Sequence, residues 1–402
     1  MRMIVIPLLM AFILAHSLSI RQTKAQAREV ITQQPKISND FFPVDVSVPI
    51  APTPVQNGAR MHLVYELHVT NFQASDLTLT MVEILNGASP IASYRDEELM
   101  NLRFRPGTPQ PDKCVIRGGM RAVLFLWLTV DSVTVPHTLR HRFTFETSNP
   151  SGGGEERIVE GCPIDVQKAS PVVIPPPFRS GTWAASNGPS NTSIHRRALV
   201  GLDAKMRIAQ RFAFDWFKLG DKGKGEDDAK LVHDDATKNE NWYGYGTEAL
   251  AVADAVVSAV KDGIPENVPL SKTRAVPITA ETTAGNYVVL NLGHGRFALY
   301  AHLQPHKIRV KVGDKVRRGQ VLGLLGNSGN SDSPHLHFHI VDGDSPLGAE
   351  GLPFVFESYE VLGTLKDLGV LTRDNGWRPQ PDATPEKRKK EIPLRNMIIR
   401  FP

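Results

Sequence analysis

The chain has little of several features that would assign it to a class at once. Beyond an apolar run at residues 3–14, no stretch approaches the roughly 20 apolar residues of a membrane-spanning helix. Only two cysteines occur in 402 residues, and long helical periodicity is absent. With 41% hydrophobic and 22% charged residues, the chain has the composition of a soluble globular protein of two or three domains.

The charge balance excludes a strongly basic protein. The formal net charge is +4, but Arg2, Arg21 and Lys24 lie in the first 27 residues, which hold no acid. Without that segment, 43 basic residues face 42 acidic ones, a net of +1. We therefore expect no nucleic-acid partner and little attraction to an anionic cell wall.

The first 27 residues have the layout of a secretory signal peptide. A basic start and a short apolar run precede the small-residue pattern Ala25-Gln26-Ala27, which predicts cleavage after Ala27. The alternative is an uncleaved anchor, because Arg21 and Lys24 lie close to the proposed cut. We expect an exported protein, periplasmic or extracellular, without a membrane span after signal removal.

Cys114 and Cys162 are expected to form one structural disulfide, since an exported chain meets an oxidising environment. The alternative is two buried thiols. Neither residue is near the histidine-rich part of the chain, so a cysteine-ligated zinc site is not expected.

The pattern predicts an all-β protein. Short alternating strands within 28–170 indicate an immunoglobulin-like β-sandwich, an accessory domain through which a protein partner could bind. Prolines and small polar residues over 171–194 indicate an extended linker. Residues 195–353 form a second strand-rich domain, and 354–402 form a C-terminal extension packed on it.

Finer features are also predicted for the second half. The extension should hold a helix around 359–368 and a strand around 396–401. Strands are further expected at 207–216 and 307–312, among others. Residues 221–241 and 263–284 have the composition of surface insertions, and that composition does not decide whether they flank a cleft.

Three histidines alternate near the end of this strand-rich segment. Side chains two apart on a strand share a face, so His335, His337 and His339 are expected to line up. Neutral imidazole nitrogens in fixed directions suit a transition metal. A merely solvated, histidine-rich face is the alternative.

Five ordered sequence blocks accompany this row. They are Tyr300-Ala301-His302-Leu303, Val312-Gly313-Asp314-Lys315-Val316, Gly319-Gln320-Val321-Leu322-Gly323, Gly326-Asn327-Ser328-Gly329 and Pro334-His335-Leu336-His337-Phe338. Together they resemble the lysostaphin-type, or LytM-domain, zinc endopeptidases, which cut peptide bonds in bacterial peptidoglycan. The resemblance covers roughly 195–345. It implies an antiparallel, duplicated-hybrid-motif-like β-sheet with one Zn²⁺ per chain and a peptidoglycan peptide as substrate.

The resemblance also implies roles for individual residues. In the family, zinc is held by a His, an Asp and the second His of the His-x-His pair. Carried over, His337 and Asp215 are zinc ligands, and His302 and His335 are catalytic. His339 stands where an acidic residue is expected, and it either supports the ligand from behind or lies solvated at the strand end.

The first histidine ligand departs from the family pattern. The family usually has His four residues before the Asp, and that position is Arg211 here. A hairpin over 198–210 would return the chain so that His195 approaches Asp215, which makes His195 the expected ligand. His233, in the charged insertion, is the reserve candidate.

Two imidazoles and one carboxylate leave a fourth tetrahedral position for water, as in catalytic zinc sites. The expected protein is thus an exported zinc metalloendopeptidase. Two alternatives remain: a catalytically inactive LytM-like module that binds cell wall or regulates a partner hydrolase, and a lipoyl- or biotin-carrier-like domain. The second alternative leaves the histidines unexplained.

Overall fold

The computed structural model describes residues 41–104, 113–147, 154–220, 229–366, 369, 371, 376–377 and 384–402. The predicted signal peptide, residues 1–27, lies outside this part of the chain, as do residues 221–228 of the first insertion. No helix in the described part combines the length and the apolar character needed to cross a membrane.

The N-terminal part is built from two antiparallel sheets. Its strands are β1 (Val44–Ser47), β2 (Val55–Asn57), β3 (Arg60–Asn71), β4 (Leu77–Asn86), β5 (Ser89–Arg95), β6 (Arg103–Phe104), β7 (Cys114–Ile116), β8 (Arg121–Asp131), β9 (Thr138–Thr147) and β10 (Glu155–Asp165), with helix α1 (Asp96–Leu102) after β5. One sheet has the order β1-β3-β8-β6, with β2 on β3, and the other has the order β10-β9-β4-β5, with β7 on β4. Alternate apolar side chains of both sheets share one core, including Leu63, Leu67, Val82 and Phe143. We call this part the sandwich.

The predicted disulfide is wrong: Cys114 and Cys162 are both free thiols. Cys114 lies on β7 and Cys162 on β10, and the strands β4 and β9 separate them. Three interstrand steps of about 4.8 Å place the two backbones about 14 Å apart. A disulfide needs Cα atoms within about 7 Å of each other.

The C-terminal part is dominated by one large antiparallel sheet. Its elements, with those around it, are β11 (Val172–Ile174), β12 (Gly181–Ser186), β13 (Val200–Leu202), β14 (Lys205–Arg207), β15 (Phe214–Lys218), a 3-10 turn (Asn239–Asn241), β16 (Glu248–Leu250), β17 (Ala255–Lys261), β18 (Asn286–Gly293), β19 (Arg296–Leu303), β20 (Lys315–Val316), β21 (Val321–Leu324), β22 (Leu336–Val341), β23 (Gly351–Leu352), β24 (Phe354–Phe356), β25 (Tyr359–Thr364), β26 (Glu386–Arg388) and β27 (Met397–Phe401). The sheet order is β20-β17-β18-β19-β22-β15-β12-β27-β25-β26, with β23 on β22. The all-β prediction is confirmed.

Several local expectations differ from this architecture. The stretch 171–194, expected as a linker, contains β11 and β12, and β12 is an interior strand of the large sheet. The helix predicted around 359–368 is wrong, because Tyr359–Thr364 is strand β25. Residues 207–216 do not form one strand: β14 ends at Arg207, a turn follows, and β15 begins at Phe214. Residues 307–312 form no strand. The strand predicted around 396–401 is confirmed as β27.

Strict alternation on the central strands separates a core face from a site face. On β22 the apolar Leu336, Phe338 and Ile340 enter the core. On β15 Phe214 and Trp216 do the same. The residues between them, two histidines on β22 and one aspartate on β15, therefore point to the opposite face of the sheet.

Candidate metal centre

The candidate site begins with one row of residues across four neighbouring strands. In register, Ala301 on β19 lies opposite His337 on β22, His337 lies opposite Asp215 on β15, and Asp215 lies opposite Ser186 on β12. Directly opposite residues in a sheet share a face. The row therefore brings a carboxylate and an imidazole together from segments 122 residues apart in the chain.

Asp215 lies at the centre of this site and is buried. Its Oδ1 is 2.9 Å from His337 Nδ1 and 3.3 Å from His335 Nε2. Its Oδ2 is 3.4 Å from His195 Nε2 and accepts a hydrogen bond of 2.8 Å from the side-chain amide of Asn187. Three imidazole nitrogens and one amide donor thus surround the two carboxylate oxygens.

His195 comes from a loop that precedes the predicted hairpin. The hairpin forms from β13 and β14, and Asp203 and Ala204 take left-handed conformations at its turn. His195 Nδ1 lies 3.1 Å from the Asn187 carbonyl, to which its N–H donates. That tautomer leaves the Nε2 lone pair directed at Asp215.

His337 uses its two nitrogens in opposite directions. Nδ1 faces Asp215, and Nε2 lies 2.9 Å from His339 Nδ1. An Nε2–H that donates to His339 leaves the Nδ1 lone pair on the side of the carboxylate. His339 is fully buried, so the solvated strand-end alternative is wrong, and its ring supports His337 from behind.

His302 and His335 flank the row and have equivalent tautomers. His302 Nδ1 lies 2.8 Å from the Ser328 carbonyl, and His335 Nδ1 lies 2.7 Å from the Ser333 carbonyl. Both Nε2 atoms are therefore left without a proton when the rings are neutral. The ring centroids are 4.9 Å apart.

His302 reaches the site through a backbone irregularity. Ala301 already points to the site face, so a regular strand would direct the next side chain to the other face. A φ of +65° at His302 turns the chain, which brings its imidazole back beside His335. Left-handed residues other than glycine are uncommon and concentrate at functional sites.

The electrostatics of the cluster follow from burial and from this single carboxylate. Burial lowers the pKa of His195 to about 4, although Asp215 opposes the shift. Burial and the neighbouring imidazoles hold the pKa of His302 well below its ordinary value. Burial would also raise the pKa of Asp215, but the surrounding histidines outweigh it and hold that pKa well below its usual range. For His335, burial lowers the pKa, but the Asp215 charge and the hydrogen bonds to Asp215 and to the Ser333 carbonyl together outweigh burial and raise it.

The site opens into a cleft of about 530 Å³. Both predicted insertions contribute to its walls: Leu231 comes from the first, and Leu270 and Arg274 come from the second. Arg274 forms an ion pair with Asp332, which ties the second insertion to the loop that precedes His335. Ile194, beside the His195 loop, adds an exposed apolar side chain to the rim.

The remaining candidates lie elsewhere. His233 is exposed, with its ring 5.4 Å from that of Tyr243, and His294 and His306 are exposed on turns. Arg211 points away from the row toward the carboxylates of Glu66 and Glu350. Asn187 was missed by sequence reasoning because it falls in the expected linker, where an Asn-Gly pair indicates only a turn.

The donor set fits a tetrahedral zinc ion. Within the described ranges, His195, Asp215 and His337 form a group whose ligand atoms all lie within 4.8 Å of one another, and all three residues are buried. Zinc bonds of about 2.0–2.1 Å place tetrahedral donors about 3.4 Å apart. The observed 3.4 Å between His195 Nε2 and Asp215 Oδ2 matches that spacing.

Comparison with known proteins finds a family match in the second half of the chain. Residues 243–348 match the model of peptidase family M23. This segment is an M23 peptidase domain. The resemblance inferred from the five sequence blocks is thereby confirmed, and the M23 segment includes His302, His335 and His337, while His195 and Asp215 precede it.

Individual relatives match over short stretches. The peptidoglycan DD-endopeptidase ShyA of Vibrio cholerae is 47% identical over 66 residues, 16% of this chain and 15% of ShyA. Lysostaphin of Staphylococcus staphylolyticus is 33% identical over 148 residues, 35% of this chain and 30% of lysostaphin. The chain thus spans less than a third of either relative. The solved catalytic domain of lysostaphin from Staphylococcus simulans is 20% identical, over 43% of this chain and 88% of that domain, with a TM-score of 0.22.

Proposed function

We propose that this protein is an exported zinc metalloendopeptidase that hydrolyses peptide bonds in peptidoglycan cross-links. The observation that carries the proposal is the spacing of the three donors His195, Asp215 and His337 at the floor of a cleft. The M23 segment and the named peptidoglycan endopeptidases among the relatives support the reaction class and the substrate.

Within this proposal, His195 Nε2, one Asp215 oxygen and His337 Nδ1 hold the metal. Bound zinc supplies a Lewis acid and lowers the pKa of a bound water to about 7. The remaining chemistry belongs to the protein. Asn187 and His339 orient the ligands through hydrogen bonds of 2.8 and 2.9 Å, which fixes the donor atoms before the metal arrives.

His302 and His335 act on the substrate side. Their Nδ1–H groups are committed to backbone carbonyls, so each ring can exchange a proton only through Nε2. Both rings line the cleft beside the proposed ligands, and their centroids are 4.9 Å apart. We assign to the pair the two tasks of accepting a proton and stabilising a developing oxyanion.

Arg211 does not favour the inactive-module alternative. Its guanidinium is engaged by two carboxylates outside the row, and His195 lies within ligand distance of Asp215. The departure from the family pattern is thus a relocation of the histidine ligand from four residues before the aspartate to twenty residues before it.

The test uses the full chain after export, with His337→Ala as the variant and His294→Ala as a matched control on an exposed turn. We expect about one zinc per chain for the wild type and the control, none for His337→Ala, and cleavage of defined muropeptide dimers only by the first two. Zinc-free wild type from zinc-replete buffer would overturn the proposal. Stoichiometric zinc without hydrolysis would favour the wall-binding module.

The proposed export of the protein is tested by a separate measurement. The cleavage pattern at Ala25-Gln26-Ala27 supports removal of the first 27 residues. We expect the mature chain to begin at Arg28, as read by N-terminal mass spectrometry of the exported fraction. A retained Met1 in a membrane fraction would instead favour the anchor.

A further inference from the structure

We propose that Glu66, on strand β3 of the sandwich, is a positioning residue of the metal centre, acting through Arg196 on the ligand His195. The proposal rests on the assignment of His195 as a zinc ligand in the proposed function. It gives the sandwich a task that neither its sequence nor the M23 match indicates.

Arg196 directly follows His195 and is completely buried. Its Nη1 donates to Glu66 Oε1, and its Nη2 donates to the backbone carbonyls of Tyr65 and Leu126, at 3.0 Å each. These acceptors lie on β3 and β8, adjacent strands of the sandwich. The residue next to the ligand is therefore held by three acceptors that all belong to the sandwich.

Other residues of the loop that carries His195 also contact the sandwich. Asn191 donates its side-chain amide to the Phe125 carbonyl at 2.8 Å. Arg197 donates to the backbone carbonyls of residues 101–103 and lies over the Phe125 ring, 4.6 Å from its centroid. Residues 187–199 contain no strand of their own. Contacts with the sandwich, together with those of Arg395 to Thr192 and to the Pro189 carbonyl, hold this loop in place of strand pairing.

The second carboxylate oxygen of Glu66 connects to the segments that carry the other two ligands. Its Oε2 accepts a hydrogen bond of 2.9 Å from Arg211, four residues before Asp215. Arg211 in turn donates to Glu350 at 3.0 Å and to the Gly351 carbonyl at 3.2 Å. Gly351 begins β23, which pairs with β22, the strand of the third ligand. One sandwich carboxylate thus joins the segments that carry all three donors.

The cluster is electrically balanced, with two guanidinium groups and two carboxylates, all buried. Such buried ion networks are weak evidence for stability, because desolvation offsets most of the attraction, but they specify geometry. Loss of the Glu66 charge leaves Arg196 without a carboxylate partner, while Arg211 keeps Glu350. Arg196 then moves toward water and draws the His195 loop with it. Since metal ligands must be held within about 0.5 Å, this displacement weakens zinc binding.

The experiment measures the zinc dissociation constant of the full mature chain by competition with a fluorescent chelator, and the Tm of the same protein after metal removal. Glu66→Gln removes the charge that faces both arginines. Glu350→Gln is the matched control, because it faces Arg211 and makes no hydrogen bond to Arg196. We expect both variants to lower the metal-free Tm, whereas zinc affinity falls about tenfold or more in Glu66→Gln and by less than about threefold in the control.

Arg196→Lys is a second variant for the same measurement of zinc affinity. It retains a positive charge for Glu66, but its single nitrogen cannot occupy the positions of both Nη1 and Nη2, so zinc affinity should fall while the fold is kept. Unchanged affinity in folded Glu66→Gln, or an equal loss in Glu350→Gln, overturns the inference. If Glu66→Gln does not fold, unchanged affinity in Arg196→Lys overturns it. Because the measurement is metal binding, a wild type that binds zinc without cleaving muropeptides fails only the proposed function.

Discussion

Asn187 donates its side-chain amide to Asp215 Oδ2 at 2.8 Å, and its own carbonyl accepts the His195 Nδ1–H at 3.1 Å. One residue therefore orients two of the three proposed zinc donors. It does so from a φ of +45°, a left-handed conformation that asparagine tolerates better than most residues.

Removing the Asn187 amide should weaken metal binding. We expect Asn187→Gly to lower zinc affinity about tenfold or more, because Asp215 loses its orienting donor while glycine accepts the positive φ. Asn187→Ala should bind zinc about as weakly as Asn187→Gly, but its metal-free Tm should be lower than that of the glycine variant, because alanine adds about 1 kcal/mol of backbone strain at this φ. Chelator competition and thermal unfolding separate the two effects. Wild-type affinity in the glycine variant would contradict the role of the amide.

His339 should matter as a hydrogen-bond acceptor rather than as a metal ligand. His339→Leu removes the acceptor for His337 Nε2–H, and we expect about a tenfold loss of zinc affinity with the stoichiometry still one. His339→Gln keeps an acceptor oxygen and should retain more of the affinity. If both variants bind zinc equally, the 2.9 Å contact does not orient the ligand.

Gly329 should not accept a side chain. A Cβ there would lie 2.3 Å from the backbone nitrogen of Gly285, at a φ of +75°. The clash and the strain together predict that Gly329→Ala destabilises by about 2–4 kcal/mol, and the adjacent Ser328 carbonyl, which holds His302, moves with the loop.

The matched control for this substitution is Gly295→Ala. Gly295 has a comparable φ of +67°, but no atom lies within 4 Å of an added Cβ. It should lose only about 1 kcal/mol and keep full hydrolytic activity. Urea denaturation with a muropeptide assay compares the two. Equal losses would mean that conformation alone, rather than the close backbone approach, requires glycine at 329.

Acid should destabilise the sandwich through His141. Burial lowers its folded-state pKa to about 4, opposed by its hydrogen bond to the Cys162 carbonyl, and Tyr65 contacts the other nitrogen at 2.9 Å. The unfolded chain takes up the proton near pH 6.5, so the contribution is complete above that pH and is lost as the pH falls toward 4. Between pH 7 and 5 the loss is about 2 kcal/mol.

The pH effect is measured as a difference between variants. Urea unfolding at pH 7 and pH 5 should show a smaller drop in His141→Gln than in the wild type. His137→Gln, which changes an exposed histidine, should retain the wild-type drop. A His141→Gln protein with the full wild-type drop would assign the acid sensitivity to other groups.

Local sequence patterns predict most of the site residues, but they do not predict how the strands that hold these residues come together. The alternation of Leu336, Phe338 and Ile340 with the histidines indicated the strand and its site face, and the hairpin over 198–210 was also visible. No local pattern indicates that β12 pairs with β15, or that Glu66 meets Arg196 from 130 residues away. Such pairings depend on burial between distant segments, which single-residue preferences do not encode.

Two errors have the same physical origin. Tyr359, Leu362 and Leu365 recur at helical spacing, yet pairing of β25 with β27 and β26 makes that segment a strand. The prolines and small residues before His195 looked like a linker, yet Trp183 and Ala185 are core residues of the large sheet. In both places tertiary pairing outweighed local composition.

The strand order has a consequence for how the protein comes into being. β15, which carries Asp215, lies between β22 and β12, and β12 completes its own pairing only with β27, at residues 397–401. Contacts this distant in sequence form slowly, because the entropy cost of closing a long loop comes before the contacts can stabilise the fold. The carboxylate is fixed in its row only once β12, β15 and β22, which span residues 181–341, have paired. Formation of the metal centre therefore depends on the closure of long loops, although its ligands begin at residue 195.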